Sequence, residues 1–191
     1  QLFFVLSGYL ITAILLRMKE KLPAGKYFLK FYGRRFFRIF PLYYFYLFLM
    51  LGATTWLLSV SYKPKIMQVF VDQMWYAILY VYDFFSAYQG FIPSRFLDHL
   101  WSLSVEEQFY IFWPLLIFLV PEERLKKLFL AGIIAGPLFR VAIFIFYQSG
   151  LIESFRDPAA LAIYPLPFSH VDAFAFGAYI TRFSIPNARR Q

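Results

Sequence analysis

Glu106 and Glu107 are adjacent carboxylates followed by Phe109 to Val120, twelve residues without a charge. A carboxylate held beside a hydroxyl serves as a general base, taking the proton as the oxygen attacks. Keeping one at the edge of a membrane-depth helix costs roughly 2.5 kcal/mol or more unless it is paired, so both acids are candidate catalytic groups. A structural use competes. Ser104-Val105-Glu106-Glu107 fits the capping box, in which the serine accepts from the third helical N–H and Glu107 reaches back. Both acids would then lie in a first turn, where the helix dipole favours each by about 0.3–1 kcal/mol. On this reading Glu107 is the cap and Glu106, which the box does not employ, carries the chemistry. His99, seven residues before Glu106, joins the candidates only if the helix reaches back that far; otherwise it is a polar interface or loop residue.

Positive charge gathers between Arg17 and Arg38, where eight basic residues face the single acid Glu20. The end of that stretch sets aromatics among Arg34, Arg35 and Arg38, with Arg35 and Arg38 on one helical face. Guanidinium forks so placed would clamp phosphates bidentately, as lysines would not. The plainer use of the cluster is topogenic and lipid-binding. Arg140, Asp172 and His170 fall inside later apolar runs. Charges there are expected to face the bundle interior, with Arg140 and Asp172 pairing or sharing a polar network with Glu106, and His170 a satisfied intramembrane histidine.

These residues must be positioned by membrane helices. The chain is 61% hydrophobic, 24% aromatic and 16% charged, against about 45–50% apolar and about 25% charged in soluble proteins. The fold class expected is therefore all-α, a polytopic transmembrane bundle forming one domain over residues 1–191. About six spans are expected, at residues 2–16, 39–61, 69–85, 104–120, 128–147 and 159–180. The first is short of the roughly 20 residues a crossing needs, so upstream residues of that span are expected to be missing. Ser7-Gly8 inside it reads as a close-packing position. Pro41 is expected to open the second span, and Pro114 to kink the fourth. Gly90, Pro93 and Arg95 mark a loop before the central stretch.

The positive-inside rule places residues 17–38 in the cytoplasm. Counting crossings from there puts residues 86–98 inside and the 122–127 connector, balanced in charge, outside with the Arg182, Arg189, Arg190 tail; the placement of the tail breaks the same rule. Either the early cluster dominates or one span is re-entrant. The net charge of +8 is interleaved with spans, so it fits anionic headgroups of the lipid bilayer and not nucleic acid. No cysteine and two histidines leave no zinc site expected.

Four stretches together resemble acyltransferase family 3, the integral membrane O-acyltransferases: Phe3 to Thr12 (FFVLSGYLIT), Arg34 to Tyr43 (RRFFRIFPLY), His99 to Tyr110 (HLWSLSVEEQFY) and Asp172 to Ala178 (DAFAFGA). The resemblance implies transfer of an acyl group, commonly acetyl from acetyl-CoA, to a hydroxyl of a carbohydrate or other cell-envelope acceptor. Acyl-coenzyme A would be a donor substrate and not a tightly bound cofactor, and the protein would be multi-pass in a bacterial cytoplasmic membrane. It also implies a catalytic histidine in a helix upstream of Phe3 and further helices after Ala178, so these residues alone are expected to be an inactive fragment. The family tends to carry an arginine before the last aspartate, where this chain has Ser169-His170-Val171-Asp172.

Acyl transfer needs a base near the acceptor and a fixed positive site for the donor's phosphates; Glu106 and the Arg35–Arg38 pair are the candidates. The rival class is a transporter or flippase-like carrier, with Arg140, Asp172 and Glu106 lining a solute path. Inverted repeats would favour it, and the two halves show none. A membrane scaffold accounts for the hydropathy but not for the buried charges.

Overall fold

The computed structural model describes residues 1–60, 62–90, 97–150 and 158–184; Pro93, Arg95, Arg189 and Arg190 lie outside them. The described residues form a helical bundle: α1 (Leu2–Lys21), α2 (Ala24–Ser59), α3 (Pro64–Ile78), α4 (Tyr82–Gln89), α5 (Leu100–Leu119), α6 (Glu122–Gln148), α7 (Ala159–Ile163), a 3-10 turn (Pro167–His170), α8 (Val171–Tyr179) and a π turn (Ile180–Ser184). Among them α1, α2 and α6 are long and apolar enough to cross a membrane. α5 has 20 residues, about 30 Å of helix.

Several expected boundaries move, each for a physical reason. α1 does not stop at the first charge but runs on through Lys21, giving 20 residues and a full crossing length. α2 does not start at Pro41; it runs unbroken for 36 residues with Pro41 inside it. The missing proline N–H removes one backbone bond, which a long helix packed against neighbours tolerates. Residues 69–85 are not one span. The chain breaks at Leu79–Val81, where Tyr80 takes a left-handed φ of 54°. Residues 159–180 divide at Tyr164–Leu166 and again through the 3-10 turn.

The break at Tyr80 makes a re-entrant hairpin. α2 holds the C-terminal end of α3 through Tyr43 Oη donating to the Ala77 carbonyl at 2.6 Å and Tyr44 Oη to Ile78 at 3.1 Å. α4 then turns back along α5, with Gln108 Nε2 donating to the Tyr80 carbonyl and to Asp83 Oδ1, both at 3.0 Å. Backbone that is not helical survives at membrane depth only when protein satisfies it, as Gln108 does here.

α3 has 15 residues and α4 has 8, each short of the roughly 20 a crossing needs, and counted without a crossing there the charges obey the rule. Lys19 at the end of α1 donates to the Ile117 and Val120 carbonyls at 2.7 Å, closing the C-terminus of α5. Arg182 reaches Glu122 at 3.3 Å. The Arg17–Lys21 stretch, the 122–127 connector and Arg182 therefore share one end of the bundle, correcting the placement of the last two on the opposite side.

Glycines set the closest helix approaches. A Cβ on Gly8 would overlap the Phe174 carbonyl, and one on Gly177 the Val5 carbonyl, so α1 and α8 meet backbone to backbone. On the other face of α8, Gly132 lies against Ala175 and Gly136 against Asp172. Thr181 Oγ1 donates to the Tyr9 carbonyl at 2.9 Å, and Trp113 Nε1 to Thr12 Oγ1 at 2.8 Å. Leu15, Tyr27, Ile117, Leu125 and Phe129 fill the core beside these contacts.

Candidate active site

Glu106 and Glu107 sit in the middle of α5, not at its start. The helix begins at Leu100, and Ser104 Oγ donates back to the Leu100 carbonyl at 3.0 Å and caps nothing. The capping-box reading of Glu107 is thereby corrected: Leu97 and Leu100 are buried with Tyr43 and Met74, and this packing extends α5 a turn earlier than the Ser-x-x-Glu pattern indicates. The two carboxylates are 5% and 6% exposed, about 20 Å up α5 from its Lys19 end.

They face different neighbours. Glu106 Oε1 accepts from Ser7 Oγ of α1 at 2.6 Å and from Tyr110 Oη at 3.1 Å. Glu107 turns toward α2 and the re-entrant tip, within electrostatic reach of Tyr43, Tyr44 and Tyr80. Its Oε1 has no hydrogen-bond partner among the described residues, and neither has the Tyr80 hydroxyl.

Arg35 belongs to this site. Its guanidinium lies 3.8 Å from the centroid of the Tyr110 ring, close enough to act on both carboxylates. Such stacking holds a planar cation where an ammonium would be less well oriented. α2 brings it there by lying antiparallel to α5, with Tyr27 Oη on the Pro114 carbonyl and Tyr32 Oη on the Ile111 carbonyl. Arg34 and Arg38 are exposed beside it, so the two arginines expected on one face have different surroundings. His99 is not gathered into the site. It precedes α5 as an exposed residue with its ring 5.9 Å from that of Tyr46.

Arg140, Asp172 and His170 form a second cluster at the end of the bundle away from Lys19. Arg140 donates to Asp172 Oδ2 at 2.7 Å and Oδ1 at 3.2 Å, and also to the Ser169 carbonyl. The expected pairing is thus present between the two residues themselves, made possible by the missing Cβ of Gly136. His170 is fully buried. Its Nε2 lies 2.7 Å from the Tyr164 carbonyl, and Phe4 and Trp101 pack on its ring. Its Nδ1 has no partner among the described residues, so the histidine is half satisfied. A cavity of about 350 Å³ opens beside Arg140, Tyr164 and His170. Asp172→Asn is expected to lower stability by about 1–3 kcal/mol, below the range for a fully buried pair because Arg140 keeps access to solvent; a thermal unfolding midpoint equal to wild type would contradict this.

Tyr110 and Tyr80 are not marked by the sequence as site residues, and Ser7 is marked only as a packing position. Tyr110 had a signal, its i+4 spacing from Glu106; Gly132-x-x-x-Gly136 carried one for the α6–α8 approach. Ser7 and Tyr80 are joined to the carboxylates only by the fold.

A helical membrane bundle with a buried carboxylate pair and a stacked arginine is the class this site defines. The chain belongs to the acyltransferase 3 family, whose model, described as an acyltransferase domain, matches residues 1–184. It is 36% identical over 160 residues to the peptidoglycan O-acetyltransferase OatA of Listeria monocytogenes, covering 78% of this chain and 24% of that protein. It is 35% identical over 158 residues to the O-acetyltransferase OatA of Staphylococcus aureus, covering 75% and 24%, and 40% identical over 121 residues to a putative O-acetyltransferase of the same species, covering 60% and 19%. The chain thus spans about a quarter of the length of the first two relatives. No solved structure matches it.

Proposed function

We propose that this chain is the acyl-transferring membrane part of an O-acyltransferase that moves an acyl group, commonly acetyl, from acyl-coenzyme A to a hydroxyl of a cell-envelope carbohydrate. The observation that carries this is the Arg35–Glu106–Glu107 cluster, a cation and two carboxylates held together inside an apolar bundle of this family. Glu107, with an oxygen open, takes the proton of the acceptor hydroxyl, while Glu106 is held by Ser7 and Tyr110 and balances Arg35. The hydroxyl oxygen bonds to the acyl carbon, the bond from that carbon to the donor sulfur breaks, and the proton ends on the departing thiol.

The donor reading rests on the arginines. Arg35 lies level with Tyr110, about 14 Å along α5 from its Lys19 end, and Arg34 and Arg38 are exposed at about the same depth. Charges so placed need a water-filled approach or an anionic partner. The phosphates of acyl-coenzyme A entering from the basic, cytoplasmic end supply one. Arg35→Lys and Arg38→Lys in the full-length protein are each expected to weaken acyl-coenzyme A binding, Arg35→Lys by about tenfold because it also loses its seat on Tyr110. Calorimetry on the purified protein tests this. Equal affinity in wild type and both variants removes these arginines from the donor site, and no binding by any of them favours a carrier.

A further inference from the structure

Two buried oxygens near the carboxylate pair have no partner among the described residues: Glu107 Oε1 and the Tyr80 hydroxyl. Their residues are 6% and 8% exposed. Leaving either unpaired in such surroundings is unfavourable, and the two are chemically complementary, since a carboxylate only accepts whereas a phenol can donate. Gln108, next to Glu107 in the chain, holds the Tyr80 carbonyl at 3.0 Å and so sets the two residues side by side; a single hydroxyl donating its hydrogen to Glu107 and accepting one from Tyr80 would satisfy both. One of its lone pairs is then left over.

Tyr80 is built for this position. It is the tip of the re-entrant hairpin and holds a left-handed φ of 54°, a conformation that costs a bulky residue energy and persists only where its surroundings impose it. Those surroundings are on view. Gln108, the residue after Glu107, holds the Tyr80 carbonyl at 3.0 Å. The Tyr80 ring stacks on Tyr43 with centroids 4.4 Å apart and lies 5.6 Å from Phe40. Tyr43 in turn is fixed by its bond to Ala77. The neighbouring phenols Tyr43 and Tyr44 are both engaged by backbone carbonyls, which leaves Tyr80 as the phenol of this group with a free hydroxyl among the described residues.

We infer that Tyr80 and Glu107 together form a receptor for one alcohol hydroxyl, that of the acyl acceptor, with Tyr80 a substrate-binding residue of the transfer reaction. The inference rests on the acyltransferase reading. Tyr80 fixes the oxygen so that its remaining lone pair meets the acyl carbon while Glu107 draws off the proton; between turnovers a water takes the same place. The hairpin thereby carries the acceptor half of the site, and α2 the donor half.

The test uses the full-length protein with acetyl-coenzyme A and a soluble peptidoglycan disaccharide as acceptor probe. Tyr80→Phe keeps the ring, the stacking and the backbone, so the thermal midpoint should stay near wild type. It is expected to lower kcat/KM for the acceptor by about tenfold or more while leaving the KM for the donor unchanged. Tyr88→Phe, which removes an exposed phenol of the same hairpin, should leave acceptor kinetics as they are. Independently of turnover, the infrared carboxyl band of Glu107, identified by its loss in Glu107→Gln, should shift in Tyr80→Phe because the shared hydroxyl loses a donor. Transfer by wild type with equal acceptor kcat/KM in Tyr80→Phe overturns the inference and leaves the acyltransferase reading in place. No transfer by wild type strikes at that reading, and the infrared band then decides the Tyr80–Glu107 receptor: an unshifted band overturns it.

Discussion

Glu107→Gln in the full-length protein is expected to lower acyl transfer by about 10²–10⁴-fold, the usual contribution of general acid–base help. The amide keeps the size and cannot take a proton. Glu107 Oε1 lacks a partner among the described residues, so the substitution breaks no hydrogen bond of that oxygen and the bundle should fold as before. Glu106→Gln differs. Its amide oxygen can still accept from Ser7 and Tyr110, so the contact with α1 survives while the charge opposite Arg35 is lost. A smaller fall in rate is expected there than at position 107. The comparison is made by initial rates of acetyl transfer on purified variants with matched melting midpoints. Full activity in Glu107→Gln would remove it from the chemistry and hand the role of base to another group.

The second large effect is on folding. Gly8→Ala and Gly177→Ala each place a Cβ inside the backbone of the partner helix, at the Phe174 and Val5 carbonyls. Neither obstacle is a flexible side-chain end, so α1 and α8 must separate. Overpacking of this kind costs about 1–3 kcal/mol and more where main chain has to move. Separation also endangers the Thr181–Tyr9 bond and, through α1, the Ser7 contact with Glu106. Gly33→Ala and Gly52→Ala, whose added Cβ meets nothing within 4 Å, serve as controls. Detergent-solubilised protein should show a much lower melting midpoint, or loss of the monodisperse species, for the first pair only. Four equal midpoints would refute the glycine contact.

How far these features can be read from the chain depends on whether they are local. α6 is legible because its apolar run is continuous, and the role of Gly8 because small residues in membrane helices usually mark contacts. The start of α5 is not, since Ser104-x-x-Glu107 is a good local capping pattern that loses to the packing of Leu97 and Leu100. Nor is the break at Tyr80: Leu79-Tyr80-Val81 contains no glycine or proline, and what holds the turn is Gln108, 28 residues later. The conflict in the charge count did register it, as a crossing too many. Arg35 and the two glutamates were each legible as charges needing a reason in an apolar chain. That they meet follows from α2 running straight through Pro41, which its sequence argues against.

The glycine contacts on both faces of α8 also divide the molecule mechanically. With α1 pressed main chain to main chain on one side, and Gly132 and Gly136 of α6 fitted over the Ala175 and Asp172 side chains on the other, this triplet has little side-chain layer that can slide or re-pack. It is the stiff half, an anvil. The opposite half, where α2 meets α3 and α4 through aromatic rings and single phenol bonds, has such a layer and a strained turn at its tip. On the proposed transfer reaction, any opening that admits an acceptor or releases a product therefore falls to the hairpin side, swinging Tyr80 against a fixed Glu106 and leaving the wall of α1, α8 and α6 in place.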